Sequence, residues 1–260
     1  MQQKLLDTAK RLGNLDQHVL VIGDVMLDRY LIGDVSRISP EAPVPVVLLK
    51  NQHDRAGGAA NVAANLALLG IKTHIVGCVG NDGESTILLD LINKAGIDHA
   101  GMMHSNQRPT IAKTRILSGH QQMMRLDQEN NAAFTAAENV TLITLIEQQL
   151  ALKPAIVILS DYAKGLLSSE VCQRVISECN AQNIPVLVDP KGHDYSKYRH
   201  ATALTPNKKE AAEACATGIN DPALIDKAAT LKAALDLRFF VVTRGDEGIS
   251  LIDDHAHLLP

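Results

Sequence analysis

Gly57-Gly58-Ala59-Ala60-Asn61-Val62-Ala63-Ala64-Asn65-Leu66-Ala67-Leu68-Leu69-Gly70, with a further glycine at Gly80, is the most informative stretch of the chain. Two adjacent glycines followed only by Ala and Asn let backbone and one short amide approach a small polar ligand at the start of an apolar helix. The stretch reads as a sugar site. A nucleotide-cradling G-x-G-x-x-G turn is absent, because no two glycines in the chain are separated by a single residue.

Around this stretch, apolar runs alternate with helical patterns. Short buried strands are expected at His18–Asp24, Thr73–Val79, Ala155–Leu159, Pro185–Asp189 and Phe239–Thr243. Helical periodicity falls at about 57–69, 83–95, 135–151, 168–181, 207–216 and 222–234, and an amphipathic helix is expected near residues 2–13. This order predicts an α/β fold, a doubly wound and mostly parallel sheet flanked by helices. Two segments, about 28–50 and 109–127, break the rhythm with paired β-like stretches and read as insertions forming a small β-lid.

Composition narrows the function class. The chain has 260 residues, 46% hydrophobic and 21% charged, enough for a full core. Its 25 Lys+Arg against 29 Asp+Glu give a net charge of −4, so the cationic surface that nucleic acid requires is missing and no such partner is expected. Cys78, Cys172, Cys179 and Cys215 form no C-x-x-C pair and read as reduced core thiols. The N-terminal residues Met1 to Asn14 hold no apolar run of signal or membrane length, so the expected location is the cytoplasm, with no membrane partner.

These residues resemble the ribokinase-like carbohydrate kinases, also called the phosphofructokinase-B family. Gly57, Gly58, Ala59, Asn61, Ala63, Gly70 and Gly80 meet its first signature, and Gly23-Asp24, Asn207-Lys-Lys-Glu210 and Thr243-Arg-Gly-Asp-Glu-Gly248 are in register with it. Longer stretches, Gly23–Tyr30, Ser36–Val46, Ser160–Gly165, Val188–Gly192 and Leu204–Asn207, are similar to the kinase domain of the D-glycero-β-D-manno-heptose 7-phosphate kinases. The resemblance implies transfer of phosphate from ATP, with Mg²⁺, to the anomeric hydroxyl of a heptose 7-phosphate, on the route to ADP-heptose for the lipopolysaccharide core. In many bacteria that domain is fused to an adenylyltransferase, of which no residues are present here.

Site residues follow from residue chemistry and the resemblance together. Asp24 ends an apolar strand at the expected crevice, with Asp28 four residues on; the pair suits sugar hydroxyls, and a helix or turn cap is the alternative for Asp24. Gly57, Gly58 and Asn61 complete the sugar side. A phosphorylated substrate needs fixed cations: Lys164 and Arg125 lead, with Arg37 and Arg115 behind.

On the nucleotide side stand Asn207, Lys208, Lys209, Glu210, Thr243, Gly245 and Gly248. The resemblance gives Glu210 a water-mediated part in holding Mg²⁺; a capping box is the alternative for Asn207 and Glu210, and a hairpin turn for Gly245–Gly248. Asp189-Pro-Lys191 marks another strand exit. His255 and His257 lack the further ligands a metal needs. The family's second signature, a Gly-Ala-Gly-Asp turn that supplies an anion hole and the catalytic base, is absent. The catalytic aspartate is therefore expected beyond Pro260, and these residues alone are expected to show little or no turnover. Jutting lids also lead to the expectation of a homodimer.

Overall fold

The computed structural model describes residues 17–259, so the helix expected near residues 2–13 lies outside the described residues. The central sheet has nine strands. In chain order these are β1 (Val19–Gly23), β4 (Thr73–Gly80), β5 (Asp98–Ser105), β8 (Ile156–Ser160), β9 (Val186–Asp189), β10 (Ala203–Leu204), β11 (Phe239–Thr243), β12 (Ile249–Ile252) and β13 (Ala256–Leu259). Their spatial order is β13-β12-β11-β10-β9-β8-β1-β4-β5. All pairs from β5 to β11 are parallel, and β12 and β13 close one edge as an antiparallel hairpin.

The strands alternate with helices α1 (Ala59–Leu68), α2 (Gly83–Lys94), α3 (Ala136–Leu150), α4 (Ser169–Ala181), α5 (Lys208–Ala214) and α6 (Leu224–Ala234). Period-2 alternation along fully buried strands feeds two cores. Leu20 and Ile22 of β1 pack with Leu142 and Ile146 of α3 and Val171 and Val175 of α4. Val21 points the other way, among Ala59, Ala60 and Ala63 of α1 and Leu88 and Ile92 of α2. Small residues on α1 let that helix lie close to the sheet, which is the packing reason for its Ala-rich sequence. Cys172 and Cys179 are free and buried in α4, and burial pushes both thiols up to about 12.

The lid is a second sheet of four strands, ordered β3-β2-β6-β7, made of β2 (Val25–Ile38), β3 (Pro45–Gly58), β6 (Ala112–Ser118) and β7 (Gln121–Gln128). Its first hairpin is longer than the expected 28–50, because β2 begins one residue after Asp24 and β3 runs on through Gly58. The two hairpins join through a parallel β2–β6 pairing. The glycine pair therefore ends a lid strand, and the helix begins only at Ala59.

The sequence signal was weak for β5, β10 and the β12–β13 hairpin. The segment Asp98-His-Ala-Gly-Met-Met-His-Ser105 carries no β-branched residue, and β10 is two residues long. His257 lies on β13 with its ring 3.1 Å from an Asp253 carboxylate oxygen, an exposed surface pair.

Candidate functional site

The winding of the sheet reverses at β1, which has β4 on one side and β8 on the other. In open α/β sheets the ligand crevice lies at the C-terminal ends of the strands at such a point. Asp24 and Asp161 occupy those two strand exits, and both are about 3% exposed.

Asp24 acts first on its own chain. Its Oδ2 accepts the backbone N–H groups of Tyr162 (3.0 Å) and Lys164 (3.1 Å), and its Oδ1 accepts that of Leu166 (3.3 Å). Burial raises its pKa, and the three N–H donors pull in the opposite direction. The loop that presents Lys164 is thus tied to the end of β1. Two carboxylate oxygens offer about four acceptor sites, so spare capacity remains for a ligand hydroxyl.

The glycines serve the same junction. A Cβ on Gly57 would stand 2.3 Å from Asp28 Oδ2, and one on Gly58 would stand 2.3 Å from the Asp24 carbonyl oxygen. Gly58 also has φ 58°, the left-handed region that favours glycine. The close approach they permit is first an approach of β3 to Asp24 and Asp28. Asn61, the third residue of α1, is exposed, and its amide is open to a ligand.

One face of the lid sheet gathers the expected sugar-phosphate residues. Register places Asp28, Lys113 and Asp127 side by side, and Tyr30, Arg115 and Arg125 in the next rank. Arg115 Nη1 lies 2.6 Å from Asp28 Oδ1, and its guanidinium stacks 5.2 Å over the Tyr30 ring. Arg125 is half-exposed and holds Asp127 through two bonds of 2.8 Å, so it stands at the outer end of the row. At the inner end Lys164 Nζ lies 2.7 Å from Glu129 Oε1, which holds the Glu129 carboxyl below its usual range. Lys113 sits 4.0 Å from the same carboxylate. Arg37 lies on an exposed part of β2, away from this row. Glu129 and Lys113 were not singled out in the sequence: the lysine lacks a motif, and a separation of 35 residues hides the Glu129–Lys164 pair.

Of the seven residues expected on the nucleotide side, Asn207, Glu210 and Thr243 line a separate crevice of about 580 Å³, together with Val62, Tyr162 and Asp189, whereas Lys208, Lys209, Gly245 and Gly248 are not part of its wall. Asn207 and Thr243 meet through a parallel bridge between adjacent strand exits. Asn207 and Glu210 do form a capping box: Asn207 Oδ1 accepts Glu210 N–H at 3.0 Å, and Glu210 Oε2 accepts Asn207 N–H at 3.1 Å. The helix they cap, α5, is seven residues long, so its dipole is small. Lys208 Nζ reaches Glu247 at 2.9 Å, whereas the Lys209 side chain is 75% exposed beside Glu213. Gly245 and Gly248, both at positive φ, flank a 3₁₀ turn that links β11 to antiparallel β12, so the hairpin alternative is also realised there.

Glu210 Oε1 receives Lys191 Nζ at 2.7 Å. Burial, then Glu210, push the Asp189 carboxyl up to about 6. Among the described residues no group of three or more His, Cys, Asp or Glu side chains is placed to cage a metal. Asp189 and Glu210 still supply two hard carboxylate donors, which suits a Mg²⁺ that keeps most of its waters and takes further oxygens from phosphate.

A family model for pfkB family carbohydrate kinases matches residues 16–260. The chain belongs to the pfkB family of carbohydrate kinases. Among similar proteins is the Bifunctional protein HldE of Methylobacillus flagellatus, 58% identical over 262 residues, covering 99% of this chain and 54% of that protein. The protein of the same name in Magnetococcus marinus is 49% identical over 246 residues, with 93% and 50% covered. The chain spans about half the length of these relatives. Phosphofructokinase-2 from Escherichia coli in complex with potassium superposes with TM-score 0.75 at 19% identity, covering 94% of this chain and 78% of that one. Arabidopsis thaliana ribokinase complexed with ribose and ATP superposes with TM-score 0.69 at 17% identity and the same coverages. The fold is ribokinase-like, and the family's chemistry is phosphoryl transfer to a sugar.

Proposed function

We propose that this pfkB-family chain forms most of a kinase domain that moves the terminal phosphate of ATP onto the anomeric hydroxyl of D-glycero-β-D-manno-heptose 7-phosphate, giving the 1,7-bisphosphate used for ADP-heptose and the lipopolysaccharide core. The observation that carries this reading is the row of lid cations ending at Lys164, each resting on a carboxylate that a phosphate can replace, near Asp24, Asp28 and Asn61. A neutral sugar has no use for that row, whereas a phosphate on the far end of a heptose matches it.

Each group then has a part. Asp28 and Asn61 accept and donate to ring hydroxyls, Gly57 and Gly58 keep that wall low, Asp24 positions the Lys164 loop, and Lys164 and Arg125 face the 7-phosphate. Asn207, Lys208, Lys209, Glu210, Thr243, Gly245 and Gly248 face ATP, with Glu210 toward the water shell of Mg²⁺. Bound Mg²⁺ supplies charge neutralisation on the phosphates. In the transfer the anomeric oxygen forms its bond to the γ-phosphorus as the bond to the β–γ bridging oxygen breaks, and a base takes the hydroxyl proton. In the family a base and an anion hole in a Gly-Ala-Gly-Asp turn serve this step, and no such turn occurs within these 260 residues.

Assembly and location belong to the same proposal. Leu48 and Leu49 on one edge strand of the lid, and Met124 and Leu126 on the other, are each more than half exposed, and these open apolar side chains support a lid-to-lid homodimer. That the similar HldE proteins are bifunctional and about twice the length of this chain supports fusion to an adenylyltransferase. No described helix is long and apolar enough to cross a membrane, and an ATP-consuming sugar kinase belongs in the cytoplasm.

Calorimetry with the heptose 7-phosphate and with the unphosphorylated heptose tests the reading. The phosphorylated sugar is expected to bind at least about tenfold more tightly, a margin that Lys164→Ala abolishes. Equal affinity for the two sugars would point instead to a neutral sugar or nucleoside.

A further inference from the structure

The crevice beside Asn207 holds two carboxylates and needs a cation that can meet a polyphosphate. Lys208 is committed to both oxygens of Glu247, and Lys209 stands in solvent. Lys191, at the exit of β9, is placed differently. Its ammonium rests on Glu210, the acid that lines the crevice, while its own side chain remains 48% exposed and free to swing.

The backbone under Lys191 is fixed from below. Tyr198 is fully buried; its hydroxyl donates to Asp161 Oδ2 at 2.6 Å and accepts the Lys191 N–H at 3.2 Å. Asp161 in turn accepts Lys197 Nζ at 2.5 Å and the backbone N–H of Ala163 at 2.6 Å. A buried carboxylate, a buried phenol and one peptide N–H thus lock the residue that carries the cation. They also tie it to the same 161–166 loop that Asp24 holds on the sugar side. A flexible point charge on a rigid base, parked on a carboxylate at the edge of a polyphosphate-sized crevice, is the arrangement expected of a phosphate-gathering lysine.

We propose that Lys191 is the phosphate-binding cation of the nucleotide crevice, kept in place by Glu210 until a polyphosphate arrives, and that Tyr198 and Asp161 are its positioning residues. The proposal rests on the kinase reading above. When the nucleotide enters with its magnesium, the Lys191 ammonium leaves Glu210 for phosphate oxygens, and Glu210 is released toward the metal's waters.

The test is calorimetric titration of the 260-residue chain with Mg²⁺ and a nonhydrolysable ATP analogue, with Mg²⁺ and inorganic tripolyphosphate, and with adenosine. Lys191→Met is expected to weaken both phosphate ligands at least tenfold and leave adenosine unchanged, with Lys191→Arg recovering most of the loss. Tyr198→Phe is expected to weaken the phosphate ligands several-fold at an unaltered adenosine affinity, which a general loss of packing would not do. Lys94→Met, on the far surface, is expected to bind as the wild type does. Phosphate affinities within twofold of wild type in a folded Lys191→Met protein overturn the inference. A wild-type chain that binds neither phosphate ligand overturns the kinase reading itself, and the two failures are distinguished by the wild-type titration alone.

Discussion

The carboxylate of Asp24 holds the backbone N–H of Lys164 at 3.1 Å, across 140 residues of sequence. The strand end expected to meet a ligand is therefore also the anchor of the loop that carries Lys164. Asp24→Ala leaves the buried N–H groups of Tyr162, Lys164 and Leu166 without their acceptor. Unfolding in urea is expected to show a loss of at least about 2 kcal/mol, and calorimetry a weakened affinity for the sugar phosphate. Wild-type stability in this variant would mean that the loop holds itself.

Gly58→Ala and Gly70→Ala separate contact from conformation. Both glycines have positive φ, but a Cβ on Gly70 meets nothing within 4 Å, whereas one on Gly58 meets the Asp24 carbonyl oxygen at 2.3 Å. Strain alone costs about 1–2 kcal/mol at Gly70. At Gly58 a backbone clash adds to it, and the expected loss is above about 3 kcal/mol. Equal losses in denaturant titrations would show that the close approach of β3 to Asp24 is not tight.

Asp189 has a folded-state pKa near 6, above its ordinary 3.8. The protonated form is favoured in the fold, so its contribution to stability is fully present below pH 4 and is lost as pH rises through about 6. Asp189→Asn removes that loss. Thermal unfolding is expected to show the variant above wild type at pH 7.5, with the gap closing toward pH 4. A gap that does not vary with pH would place the carboxyl in water.

His18 stacks on His74 with ring centroids 3.9 Å apart at the opposite end of the sheet, and its Nε2 is buried without a hydrogen-bond partner among the described residues. Burial first, then His74, lower its pKa from 6.5, against an opposing pull from Asp98. A depressed base contributes stability that is present above the unfolded pKa and is lost as pH falls below about 6.5. His18→Phe keeps the ring contact and removes the titration, so its advantage over wild type in melting temperature is expected to be larger at pH 5 than at pH 8. The reverse order would assign the acid sensitivity elsewhere.

Most of the architecture was legible because it rests on local periodicity. β1, α1, α3 and α4 fall within a residue or two of their expected bounds, since continuous apolar runs and 3.6-residue stripes are properties of the sequence itself. β5, β10 and the terminal hairpin were not, because pairing with neighbours, rather than residue preference, makes Asp98–Ser105 a strand. The site shows the same division. Asp24, Asn61, Lys164 and Asn207 stand just after strand ends or at helix starts that the chain advertises, and Asp28 lies four residues past Asp24 in β2. Glu129, Lys113 and the Asp161–Tyr198–Lys191 chain act through pairings spanning between 7 and 37 residues, visible only once the lid and the loops after β8 and β9 are folded together.

The central claim, that the lid row and the β1–β8 crevice hold a phosphorylated heptose, is tested most directly by a crystal structure of the chain with D-glycero-β-D-manno-heptose 7-phosphate. The account predicts the 7-phosphate within hydrogen-bond reach of Lys164 Nζ, displacing Glu129 from it, with ring hydroxyls on Asp28 and Asn61. A phosphate bound away from Lys164, or a sugar that leaves Asp28 and Asn61 untouched, would contradict it.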